Sequence, residues 1–201
     1  MRITTRLTRL TLALLVGLVA TSSVACGESV EEDTSIEDRQ PKPLSDKVYI
    51  DVQRFEELRA DGARVLDARG EEDYSAGHVP GAVHGPWSVL KDEERDGAFI
   101  EDDPRRAQEQ IRALGIDQDQ PVLIYSGAIS TTDSRLAWSL EYFGNGNVHI
   151  LDGGFGAWKA EADVEPSSDP VDVEPGNFKA AIRDEVLATS EDVKKAVEGD
   201  M

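Results

Sequence analysis

The chain has 201 residues, with 40 Asp and Glu against 21 Lys and Arg, and a formal charge of −19. A surface this acidic repels nucleic acid and anionic lipid, which excludes electrostatic binding to either. The single cysteine, Cys26, excludes an intramolecular disulfide and any cysteine-based metal cluster.

Residues 1–25 read as a signal peptide. Arg2, Arg6 and Arg9 form a basic start, and residues 10–20 are an apolar run. That run suits a signal peptide and falls short of the roughly 20 residues of a membrane span. Ser23-Val24-Ala25-Cys26 is similar to a bacterial lipoprotein cleavage box, with Ser23 where leucine is more usual. The similarity implies export and lipidation of Cys26. The protein would then be anchored in a bacterial cell envelope, and Gly27 favours the outer membrane or its periplasmic face. The alternative is plain secretion with an incidental cysteine. Residues 26–44 are an acidic tether with Pro41 and Pro43 and few apolar side chains, too polar to order itself. Once the three arginines of the signal are removed, the remaining chain is more negative still.

A globular domain is expected over 45–164. Val48, Tyr49 and Ile50 suit a short strand, and Asp51 suits a helix cap before Phe55 and Leu58. Val65, Leu66 and Asp67 form the next strand, so Asp67 and Arg69 lie at a strand C-terminus, where open α/β folds place their sites. Arg69 suits pairing with a nearby carboxylate that pins the following turn, with substrate contact as the alternative. Pro80-Gly81 marks a turn within Gly77-His78-Val79-Pro80-Gly81-Ala82. His78 invites a reading as general base. His84 and His149 lack acidic or cysteine companions in a ligand pattern, so no metal is expected.

Residues 92–103 form a charged insert. A helix starts at Pro104, with Ala107, Ile111 and Leu114 on one face and Gly115 as its stop. Val122, Leu123, Ile124 and Tyr125 suit a strand buried on both faces. A small polar loop from Ser126 follows, with Thr131, Thr132 and Asp133 as cap candidates. Leu136, Leu140 and Phe143 then share a helix face. Val148, His149, Ile150 and Leu151 form a further strand, and Gly153-Gly154 turns the chain into a helix carrying Trp158. Residues 165–201 read as a linker with Pro166, Pro170 and Pro175, then a helix opened by Thr189 and running through Val193 and Val197. That tail is expected to contribute little to stability.

Two stretches carry a resemblance. Val65 to Trp87, VLDARGEEDYSAGHVPGAVHGPW, resembles the first half of a rhodanese-type domain, and Pro121 to Lys159 resembles the second. The segment SRLAWSLEYFG is similar to the non-catalytic N-terminal repeat of tandem thiosulfate and 3-mercaptopyruvate sulfurtransferases. The resemblance implies an α/β fold, a mostly parallel five-stranded sheet with helices on both faces. It implies that His78 is structural, as are Asp67, Arg69 and Gly81. It places Ser126 at the family cysteine position, with Gly127 and Arg135 on the same site loop, and Arg135 lies nine residues after Ser126. A single-domain rhodanese has a shorter loop.

Sulfur transfer needs a thiolate that can hold sulfur as a persulfide, and a serine hydroxyl cannot. The chain is therefore expected to be inactive, with no catalytic residue and no cofactor. Ser126 as a hydrolase nucleophile is disfavoured, because Tyr-Ser-Gly-Ala is not the Gly-x-Ser-x-Gly elbow. A thiolate introduced at Ser126 would be stabilised by loop amides and the helix dipole. Residues 178–200 resemble the linker and opening helix of a second repeat, which suggests a truncated tandem enzyme. The alternative is a stand-alone, lipid-anchored binding or scaffold module. Besides the lipid anchor, the implied partners are a sulfur-containing anion or a second rhodanese repeat, and no nucleic acid.

Overall fold

The computed structural model describes residues 48–95, 97, 100–128 and 130–199. The signal peptide and the whole tether, Cys26 included, lie outside the described residues. Among the described residues five strands form one sheet: β1 (Tyr49–Ile50), β2 (Arg64–Asp67), β3 (Val83–His84), β4 (Val122–Tyr125) and β5 (Val148–Leu151). Their order is β1-β5-β4-β2-β3, and every pairing is parallel. Parallel neighbours need crossovers, and helices supply them. They are α1 (Val52–Ala60), α2 (Glu71–Ala76), α3 (Pro104–Ala113), α4 (Thr131–Tyr142), α5 (Gly154–Glu161) and α6 (Ser190–Glu198). Short 3-10 turns occupy Trp87–Leu90 and Asp184–Val186.

Strand alternation divides the interior into two cores. Leu66, Val122, Ile124, Val148 and Ile150 pack with Ala107 and Ile111 of α3 and Leu136 and Leu140 of α4. Val65, Leu123, Tyr125 and Leu151 point the other way, toward Phe55 and Leu58 of α1 and Trp158 of α5. Each central strand is thus covered on both faces, which explains why β4 is apolar throughout and β5 is apolar except at His149, itself buried. β4 is the middle strand, so its C-terminal end lies at the centre of one rim of the sheet.

Helix starts follow local chemistry. The Asp51 carboxylate accepts from Arg54 N at 2.8 Å, and Asp103 accepts from Arg105 N at 2.9 Å with Pro104 opening α3. The cap of α4 is Ser130, whose side chain accepts from Thr132 N at 3.2 Å. This corrects the expectation of Thr131, Thr132 or Asp133, which are the first three helical residues. Two short elements, α2 and β3, were not anticipated: α2 buries no side chain, and β3 has only two residues.

The expected linker is not a separable one. Phe178 is fully buried, with Ala180 beside it in the α3–α4 core, and Ala181 is buried as well. Arg112 Nε donates to Phe178 O at 2.7 Å, Ala180 N to Gln108 Oε1 at 3.0 Å, Ala181 N to Phe143 O at 2.9 Å and Arg183 N to Tyr142 O at 2.8 Å. Arg183, itself largely buried, bridges Glu141 and Glu185 at 2.7 and 2.8 Å. Gly176 passes so close to Ile116 that a Cβ there would lie 2.0 Å from its carbonyl oxygen. Residues 176–183 therefore complete a face that α3 and α4 leave open. The expectation of a tail that contributes little is corrected on this point, while α6 beyond it buries no residue.

Candidate functional site

The rim at the C-terminal ends of β2 and β4 gathers the polar residues. Asp67 is fully buried at the end of β2. Its carboxylate accepts from Arg69 Nε at 2.9 and 3.1 Å, Arg69 Nη2 at 2.6 Å, the Arg69 backbone N–H at 3.0 Å and the Tyr125 hydroxyl at 2.7 Å. A buried carboxylate this well paired is tolerated because its oxygens are satisfied. Arg69 also donates to Gly77 O at 2.7 Å and lies 3.9 Å above the Phe155 ring. Burial alone would lower the Arg69 pKa, but the hydrogen bond and charge of Asp67 outweigh it and raise it. Tyr125 accepts from Val79 N at 3.0 Å, and burial followed by the charge of Asp67 holds its phenol far above the ordinary range. Arg69 thus ties β2 to the following turn and to α5.

His78 is buried, and its Nδ1 lies 3.0 Å from Tyr74 O. A carbonyl only accepts, so Nδ1 carries the proton. The imidazole stacks on Tyr74 at 4.1 Å, and the His78 backbone exchanges hydrogen bonds with Ser167 at 2.8 and 2.9 Å. Those partners hold the loop in place. Gly81 has φ 82° in the turn closed by Ala82 N donating to Val79 O at 2.8 Å. His84 Nε2 sits 3.0 Å from Arg69 O. Among the described residues no three His, Cys, Asp or Glu side chains form a group that could hold a metal.

Ser126 follows β4 directly and is 2% exposed. Its Oγ lies 2.6 Å from Asp133 Oδ2, to which it donates, and also contacts the carbonyl oxygen of Ala128. Its own carbonyl accepts from Phe155 N at 2.7 Å, so the start of α5 clamps the loop. Gly154 allows that approach: it has φ 58°, and a Cβ would lie 2.5 Å from Ser126 O. Gly127 has open space where a Cβ would stand.

Asp133 is buried in the first turn of α4. Its Oδ1 accepts from Ser134 N at 2.6 Å and from Ser134 Oγ at 3.2 Å. An acid there suits the helix dipole. It also reverses the electrostatics expected for the loop. A like charge at about 4 Å costs about 4 kcal/mol at an effective dielectric constant near 20. A helix terminus offers an anion only about 0.3–1 kcal/mol. The carboxylate therefore wins, and a thiolate at position 126 would be disfavoured.

Arg135 stands half a turn further along α4. Its guanidinium lies 4.9 Å from the Trp138 ring centre, and burial lowers its pKa. With Trp87, Thr131 and Thr132 it lines a cavity of about 280 Å³. The sequence reading missed Asp133 as a partner of Ser126. The available signal was a carboxylate seven residues downstream, in the first turn of the helix that the loop enters.

A parallel sheet in the order β1-β5-β4-β2-β3, with its polar site at the strand C-termini, defines a rhodanese-type α/β domain. The chain belongs to the family of the rhodanese-like domain, whose model matches residues 51–161. It is 30% identical over 140 residues to the 3-mercaptopyruvate sulfurtransferase of Escherichia coli, a match covering 65% of this chain and 50% of the relative. It is 30% identical over 147 residues to the thiosulfate sulfurtransferase of Bos taurus, covering 68% and 49%. The chain thus spans about half the length of these relatives. It resembles the crystal structure of SseA, a 3-mercaptopyruvate sulfotransferase from Escherichia coli, with a TM-score of 0.68 and 27% identity over 77% of this chain and 63% of that one. The 3-mercaptopyruvate sulfurtransferase from Leishmania major shares the fold, with a TM-score of 0.59 and 23% identity over 71% and 43%.

Proposed function

We propose that this is an exported rhodanese-family domain whose β4–α4 loop performs no sulfur transfer, corresponding to the non-catalytic N-terminal repeat of a tandem sulfurtransferase. The observation that carries the reading is the residue after β4. It is a serine with its hydroxyl donated to a buried carboxylate, and a hydroxyl forms no persulfide. The only cysteine, Cys26, lies in the segment similar to a lipoprotein cleavage box and far from the loop in sequence. Relatives about twice the matched length support the tandem arrangement. In this reading the domain contributes a surface to a two-repeat protein, and Arg69, His78 and Gly81 hold the fold of the rim.

The test is direct. The purified chain should release no thiocyanate from thiosulfate and cyanide, and no pyruvate from 3-mercaptopyruvate, above a protein-free control. Turnover comparable to an authentic sulfurtransferase would overturn the reading.

A further inference from the structure

We infer that Asp133 is a specificity-determining residue, the built-in occupant of the place where the β4–α4 loop would otherwise hold an anion. The inference rests on the non-catalytic reading of this loop and deepens it: the loop lacks a thiol and also rejects the charge that a thiolate or an anionic sulfur donor would bring.

Three observations carry it. The carboxylate is 2% exposed, so water screens it poorly. It accepts from the Ser126 hydroxyl at 2.6 Å, which places negative charge within hydrogen-bond distance of the side chain on which a reacting atom would stand. It is held there by Ser134 N at 2.6 Å and Ser134 Oγ at 3.2 Å, and so has little freedom to withdraw. The cations on adjoining elements are engaged elsewhere. Arg69 is bound to Asp67 and packed on Phe155, and Arg135 lies over Trp138. From α5, the backbone N–H of Phe155 faces Ser126 and is committed to its carbonyl oxygen.

A reporter thiol reads this field. In a Cys26→Ala background, Ser126→Cys introduces the chain's single cysteine, and its pKa is measured from the pH dependence of its alkylation rate. The expected value lies above that of a free cysteine thiol, ~8.5. Adding Asp133→Asn keeps the shape and the Ser134 hydrogen bonds while removing the charge. It should lower the thiol pKa by about one unit or more, a tenfold or greater gain in thiolate at neutral pH. If Asp133→Asn fails to fold, Asp133→Ser serves in its place. Equal thiol pKa values with and without the carboxylate overturn the inference, and so does a value below ~8.5 for Ser126→Cys with Asp133 intact. These outcomes are independent of wild-type turnover, so failure here and failure of the non-catalytic reading are distinguishable.

Discussion

Phe178→Ala should destabilise the domain severely, although the residue lies in a stretch without regular secondary structure. Phe178 is fully buried in the core formed with α3 and α4. Truncating a buried phenylalanine to alanine costs about 3–5 kcal/mol, combining lost transfer energy with the cavity left behind. Collapse is hindered here, because the surrounding backbone is held by Arg112 Nε on Phe178 O and by Ala180 N on Gln108 Oε1. The cost should therefore fall in the upper half of that range. Against a total stability of about 5–15 kcal/mol, it is a large fraction. At about 2–4 °C per kcal/mol for a domain of this size, the melting midpoint should fall by roughly 8–20 °C. Urea unfolding followed by tryptophan fluorescence measures the loss of free energy from the shift of its own midpoint, provided the slope of the transition is unchanged. Val197→Ala is the control, because Val197 is 82% exposed on α6 and should change stability by no more than about 0.5 kcal/mol. A Phe178→Ala midpoint indistinguishable from that control would refute the claim that the tail is part of the core.

Gly154→Ala should cost about 1–3 kcal/mol, because it places a Cβ at φ 58° and 2.5 Å from Ser126 O, and a thermal melt would show it. Unchanged stability would mean that α5 does not clamp the loop. Tyr125 has a raised pKa in the fold and an ordinary one when unfolded, so its contribution is complete below about pH 10 and is lost as pH rises beyond it. Stability should fall above that pH. The phenolate absorbance of the parent should exceed that of Tyr125→Phe only where unfolding occurs; ionisation of Tyr125 in the intact fold would contradict this. Cys26→Ala should release the protein from membranes or block its processing, and unchanged membrane partitioning would dismiss the lipid anchor.

Periodicity made the framework readable because it reports burial. Val122 to Tyr125 are apolar on both faces, Val148 to Leu151 are apolar apart from His149, and the structure covers both faces with helices. Asp67 and Arg69 were readable as a strand-end pair because their spacing in sequence brings them together. Segments with weak local signals were not readable. The tail holds Pro170 and Pro175 with several acids, so its composition resembles a linker. Its burial is decided by partners such as Gln108 and Phe143, far away in sequence. Asp133 was hidden for another reason. In sequence it is one of several residues suited to a helix start, and only the fold shows that Ser130 takes the cap and turns Asp133 back onto Ser126.

The order of the strands has a consequence for how the domain must fold. The earliest strand described, β1, pairs with the latest, β5, through Tyr49 opposite Ile150 and Ile50 opposite Leu151. The segment around Phe178 then closes the α3–α4 face after both. An edge of the sheet and the lid of one core thus both wait for distant parts of the chain. Such non-local closure makes folding slow relative to helical domains and keeps apolar surface open until late. A chain emerging residue by residue cannot complete either core piecemeal. The α1–α5 core can close once α5 has been delivered, and the α3–α4 core only after the stretch that looks most like a linker has followed it.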